Sequence, residues 1–302
     1  MRVVDTNFNQ AALTGVSKST QGFLVFTTQE AYDNVLGIIK DFSDEQLNGW
    51  EDALVFTSAF TAYAEPTVYN VNPQDNKNQG FEDDLFSRIL DVNGLIQIEG
   101  FVFKAAFDNN YLLEMNQSHL ATHYTMLKAG TFDVAVMNKF DGSFDDSSQD
   151  IFELLRTNVT GTTPIGSSSF LKPQFKNKPA AEDLTDDAQT IWRAECKSAY
   201  QSMPLYHSLM GEMKYSKKVL GTGVFWSTKT QIDLYSSSSS CWFKPNRRGM
   251  ETKTVRESVF DNKQTYRPYA ASRGLEGFGI SLYYNYYSII PGTRVIHTYT
   301  SK

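Results

Sequence analysis

The residues best suited to chemistry fall into four small groups. His119 and His123 are four apart, so on a helix they share a face and present two imidazoles to one ion. Glu114 stands nearby, but catalytic zinc takes three protein ligands and no third ligand of matching spacing follows; surface histidines are the ordinary alternative. Asp141, Asp145, Asp146 and Asp150 cluster in a stretch containing Gly and Ser. Carboxylate oxygens on a loop suit calcium, although the spacing is not that of an EF-hand, and the same acids suit a solvated loop before a helix. Cys196 and Cys241 are an even pair, enough for one bridge in an exported protein, or two buried thiols. Trp226, Trp242 and the Tyr283-Tyr284 and Tyr286-Tyr287 pairs, Tyr284 and Tyr286 first among them, supply flat rings that could stack on sugars, or that fill a core and a sheet face.

Motifs with a fixed mechanism are missing. Gly221-Thr222-Gly223 lacks the third glycine and the following helix of a dinucleotide fingerprint. There is no nucleophile-elbow serine, no zincin helix and no phosphate loop. A glycosidase pair is defined by separation in space, so 34 carboxylates do not reveal one. No catalytic residue and no cofactor is expected.

The elements that position these groups change character along the chain. Residues 1–20 carry no export-signal pattern and read as a flexible arm or an edge strand; either the protein is cytoplasmic or a signal has been removed. Phe23 to Phe26 suits a buried strand. Thr27 with Glu30, and Ser43 with Gln46, have the spacing of capping boxes. Tyr32, Val35, Leu36 and Ile39 make one helix face, Leu47, Trp50 and Leu54 another, and residues 81–90 a third. Asn93-Gly94, Glu99-Gly100 and Asn109-Asn110 punctuate an antiparallel meander in which Phe101, Phe103, Ala105 and Phe107 share a face. A helix over 119–128, a strand over 132–137 and a short helix over 151–156 finish an α+β domain spanning 22–157. Residues 158–185, with Pro164, Pro173 and Pro179, read as a linker. Beyond it, in 186–302, the period becomes two. Val255 and Val259 alternate with polar neighbours, Phe278, Ile280, Leu282, Tyr284 and Tyr286 share a strand face, and 295–299 is a last strand. This predicts an all-β, sandwich-like domain. The serine run 236–240 is either a strand of small side chains or an exposed loop.

The order GFLVF (22–26), an acidic helix reaching Trp50, FTSAF (56–60) and DDLFSRILDVNGLIQIEGFVFKAAFDNNYLLEM (83–115) resembles uncharacterised exported proteins and lipoproteins of the Bacteroidota. Those proteins show a helix ending in an "iLN" step, an Asn-Gly turn and an "IQIG-aromatic" hairpin. Here Asp91 stands at the Asn position and Glu99 precedes Gly100. The resemblance covers 22–157. It implies export, an extracellular or cell-surface location and a non-enzymatic role; with no established reaction in the family, it assigns no site residue.

Charge is unevenly placed. Residues 1–190 hold 27 acids and 12 bases, and residues 191–302 hold 7 acids and 16 bases. The overall charge of −6 disfavours nucleic acid as a partner, and no apolar run is long enough for a spanning helix. Opposite signs on two domains favour head-to-tail contact between copies, which closes into rings or runs on as filaments, or attraction within one chain. The expectation is therefore a structural, self-assembling surface protein whose partners are copies of itself. The alternative is a glycan-binding surface module or glycan-active enzyme using exposed aromatics.

Overall fold

The computed structural model describes residues 3–63, 83–106, 111–141, 152, 175–176, 180–185, 191–203, 205–218, 225–286 and 293–300. The chain is mostly β, with its helices in the first half. It divides into two units. One comprises Met1–Pro173, Gln201–His207 and Ala270–Gly274; the other comprises Gln174–Tyr200, Ser208–Tyr269 and Leu275–Lys302.

In the first unit, β1 (Val16–Lys18), β2 (Leu24–Phe26), β3 (Leu95–Ile98), β4 (Phe101–Ala106), β5 (Tyr111–Asn116) and β6 (Met137–Asp141) lie side by side in chain order. Only β2 and β3 run parallel, and helices occupy the stretch that joins them. These are α1 (Gln29–Ile39), α2 (Asp44–Ala53), α3 (Ala59–Tyr63) and α4 (Leu85–Ile89); α5 (Leu120–Ala129) follows β5. The apolar faces are those the spacing predicts: Tyr32, Val35, Leu36 and Ile39 of α1, and Leu47 and Trp50 of α2, are buried. Ser43 and Gln46 form a reciprocal capping box. The cap of α1 is Thr28, one residue later than expected, because its hydroxyl is the one that accepts the Ala31 N–H at 3.0 Å. The strand expected over 132–137 begins at Met137. The preceding residues turn on Asp133, whose carboxylate accepts the Ala135 N–H.

The meander is present, and the two departures from the resembled pattern have structural roles. Asp91 accepts the N–H groups of Asn93 and Leu95 at 2.8 and 2.7 Å and so shapes the Gly94 turn. Glu99 and Gly100 both have positive φ, 49° and 80°, as a two-residue hairpin turn matched to strand twist requires. The Glu99 carboxylate also accepts the first N–H of α1, from Gln29. Before β1, residues 3–9 run along α2: Asn48 donates to the Val3 carbonyl, and a Cβ on Gly49 would fall 2.0 Å from the Asp5 carbonyl. β1 itself is the edge strand of the sheet.

The core on one sheet face includes Phe26, Ile96, Ile98, Phe103 and Leu112, with Trp50, Phe86, Met203, Leu205 and Tyr206. The other face packs Leu113 and Met115 with Leu127 of α5.

The second unit is two sheets. The first is built from β7 (Phe175–Lys176), β8 (Ala180–Thr185), β9 (Ile191–Met203), β10 (Tyr206–Lys218), β11 (Trp226–Ser227) and β16 (Lys263–Ala271). The second contains β12 (Thr230–Ser236), β13 (Cys241–Pro245), β14 (Glu251–Thr252), β15 (Val255–Asp261), β17 (Leu275–Tyr286) and β18 (Thr293–Thr300). Their inner faces meet: Tyr200 packs on Phe278, Tyr215 on Tyr286 and Phe243 on Tyr269, with ring centroids 4.9 to 5.3 Å apart. At Gly211 the approach is so close that a Cβ would fall 2.0 Å from Leu282. The alternation expected for Phe278, Ile280, Leu282, Tyr284 and Tyr286 holds, and all five are buried.

The serine run is both of the things its sequence allowed. Tyr235 stands opposite Tyr283 and Cys241 opposite Ile280, so five serines span only Ser281 and Leu282 of β17. Ser236 and Ser240 bond to the Ser281 backbone, while Ser237, Ser238 and Ser239 loop out, exposed. β12 and β13 are thus one line of chain along β17, interrupted by a bulge.

Candidate functional site

β17 decides which rings face outward. Its even-numbered side chains from 278 to 286 point into the unit, so 277, 279, 281, 283 and 285 lie on the outer face. The pairing puts Trp242 of β13 beside Gly279. The indole lies along β17: a Cβ on Gly279 would fall 2.4 Å from Nε1, and one on Gly277 would sit 3.5 Å from the six-membered ring. Two glycines on the outer face therefore make a bed for one half-buried tryptophan.

Further along the same face, Tyr235 and Tyr283 stack with centroids 4.9 Å apart and planes within 8°. Gly279 and Tyr283 are four residues apart on β17, ~13 Å at the rise of an extended strand. Beside the tyrosines is an open trough of about 760 Å³ lined by Asp233, Tyr235, Arg256, Ser258 and Asn285, among others. Asp233 accepts from the Ser258 hydroxyl and, at 3.5 Å, from the Gln231 amide. The exposed serine bulge lies between the Trp242 and tyrosine stations along β17. Flat rings beside hydroxyl, amide, carboxylate and guanidinium groups can stack on the apolar face of a sugar and hydrogen-bond its rim.

The predicted site residues are scattered. Tyr284 and Tyr286, expected as glycan contacts, are 0% and 1% exposed. They share the inward parity of Leu282, which takes them out of reach of any sugar. Their outward neighbours Tyr283 and Asn285 occupy the face instead, and Tyr235 joins them through strand register. Trp226 on β11 is 44% exposed, opposite Lys217 in the other sheet.

His119 and His123 lie at the start of α5 with ring centroids 6.1 Å apart, and His123 Nδ1 is 2.8 Å from the Thr122 hydroxyl. Glu114 does not join them. It alternates with Leu113 and Met115, which pack toward α5, and so points to the opposite sheet face. There it accepts from Asn138 at 2.7 Å, and burial pushes its carboxyl up to about 7. Asp141 ends β6, and Asp145, Asp146 and Asp150 lie outside the described residues, as do Gly221-Thr222-Gly223, Phe107, Asn109-Asn110 and most of the expected linker. Among the described residues no group of three or more His, Cys, Asp or Glu side chains is placed to hold a metal ion.

Cys196 and Cys241 are not bridged. They are separate buried thiols in different sheets, pushed up to about 12 and about 11 by burial. Ser202 and His207 form a pair that the sequence did not suggest, 2.8 Å apart across the end of the β9–β10 hairpin. Both are 3% exposed, and burial lowers the imidazole to about 3. A substrate cannot reach this hydroxyl, so the pair serves the core.

No family profile matches the chain, and no curated protein does. Among solved structures, a DUF4848 family protein from Bacteroides thetaiotaomicron is 9% identical over 95% of this chain and 100% of that one, with a TM-score of 0.24. It comes from the Bacteroidota, as do the proteins the sequence resembles, and at that score the likeness carries no argument about fold or function. Among the described residues no helix is long and apolar enough to cross a membrane.

Proposed function

We propose that the second unit is a glycan-binding module of a secreted or cell-surface protein without catalytic activity, its two stacked sheets forming a β-sandwich. The observation that carries this reading is Trp242 laid over Gly277 and Gly279. A buried tryptophan needs no such bed, and an indole held flat on an outer face is pre-organised to receive a sugar ring at little entropic cost. The tyrosine pair and the polar trough lie further along the same face. A glycan array read with native protein and with Trp242→Ala tests it. Binding that the variant loses supports the module; binding that survives it, or an array without a hit, removes it.

The distribution of charge favours a second reading. The first unit holds 23 acids and 11 bases, a net −12, and the second holds 11 acids and 17 bases, a net +6. Copies of such a chain attract head to tail, acidic unit to basic unit, as in a structural surface protein that assembles into rings or filaments. Sedimentation velocity at 20 mM and 500 mM salt checks this. Concentration-dependent association that salt dissolves is expected, and a monomer under both conditions refutes it.

A further inference from the structure

Resting on the glycan reading, we propose that the trough takes an acidic sugar and that Arg256 reads its anionic group, a carboxylate or a sulfate ester. Arg256 is exposed on the edge strand β15, opposite Tyr235 and on the wall of the trough. Among the described residues no carboxylate pairs with it. The acids nearby have other engagements. Asp233, on the cross-strand diagonal, is held by Ser258 and Gln231, and Glu257 accepts from Gln264 at 3.4 Å. A guanidinium presents a planar fork of donors that matches carboxylate and sulfate oxygens two at a time. Here the fork stands beside a tyrosine ring, so one residue can take the charge while its neighbour takes the ring face. The Trp242 end of the face is also basic: Arg248 is exposed, and Lys253 follows the strand paired with Trp242, 3.9 Å from Glu251. Lys244 pairs with Glu276, which also accepts the Arg247 backbone N–H. The net +6 of the second unit draws an anionic chain toward this face from a distance.

The experiment titrates the full chain with oligogalacturonate, with the same oligomer methyl-esterified at every carboxyl, and with a sulfated dextran oligosaccharide. The ester keeps the sugar rings and removes the charge. Native protein is expected to bind an acidic oligomer at least tenfold more tightly than the ester, with uronate and sulfate arms telling the two anions apart. Arg256→Gln should weaken acidic binding roughly ten- to hundredfold, the range for a charge-assisted hydrogen bond, and weaken ester binding far less, so that the preference for acid over ester collapses. Arg256→Lys should recover part of the preference through charge alone. Equal binding of acid and ester, or a preference that survives Arg256→Gln, overturns this inference and leaves the glycan reading standing. If none of the three oligosaccharides binds native protein, this inference falls and the array decides the glycan reading; if Trp242→Ala abolishes ester and acid binding alike, the shared platform is upheld and Arg256 alone decides the rest.

Discussion

Replacing Gly279 by alanine tests the platform through the sign of its effect. In an ordinary strand, glycine is worth about 0.5–1 kcal/mol less than alanine because it loses more backbone freedom on folding. Where nothing occupies the space, Gly→Ala therefore stabilises. At Gly279 the added methyl would fall 2.4, 2.9 and 3.1 Å from three atoms of the Trp242 indole. Relieving such overlap costs about 1–3 kcal/mol, by overpacking or by lifting the ring off the strand. Net destabilisation of up to about 2.5 kcal/mol follows. Gly277 is the internal control. Its added methyl would meet the same indole at 3.5 and 3.6 Å, ordinary contact, so Gly277→Ala should stabilise by about 0.5 kcal/mol. Urea unfolding followed by tryptophan emission reads both quantities, and the emission of folded Gly279→Ala should shift to the red as the indole enters water. Affinity for any glycan found on the array should fall with it. Equal stabilisation by the two substitutions, with emission unchanged, would show that the indole does not lie over Gly279.

Glu114 makes stability depend on pH. Its folded value of about 7 lies above that of an unfolded glutamate, so the native state holds the proton more tightly. Its contribution is full below about pH 4.5 and is lost as pH rises through 7, a change of about 3 kcal/mol. Glu114→Gln can keep the Asn138 contact without the charge, and should flatten that slope and stabilise the protein at pH 8; parallel slopes in urea titrations at pH 5 and 8 would refute this. Arg88 and Glu51, 2% and 0% exposed, pair at 3.1 Å, with Ser58 and Thr61 also donating to Glu51. Glu51→Gln removes the buried charge facing Arg88 but leaves it Asp44 at 3.5 Å and Asn48 at 2.8 Å, so it should cost about 1–3 kcal/mol in urea unfolding, and adding Arg88→Met should recover part of it.

Local pattern carried the elements well. The α1 and α2 faces, the Ser43 box and the turns at Gly94 and Gly100 all depend on residues a few positions apart, and each is visible in sequence. The alternation along β17 was equally visible. It already implied that Tyr284 and Tyr286 face inward and Tyr283 outward, because period two assigns neighbours to opposite faces. Tyr235 beside Tyr283, Trp242 over Gly279 and Arg256 beside Tyr235 were hidden for another reason. They depend on strand register, and the register here includes a three-residue bulge whose place the serine run marks but whose effect on pairing no local signal gives. The same holds for Ser202 and His207, which meet only because their hairpin closes between them.

The first unit draws part of its core from far down the chain. Tyr206 stacks on Phe86 at 5.1 Å and donates to Asp83, the Leu205 carbonyl accepts from Tyr32, and Ser272 bonds Asp33. A ribosome making this protein therefore releases the first 173 residues before it has made everything they need. Helices α1 and α2 can form early, but Tyr32 and Asp83 wait for partners more than a hundred residues away. Truncation after residue 173 should yield a sticky, chaperone-dependent fragment, and the natural unit of expression is a chain that extends at least past Gly274.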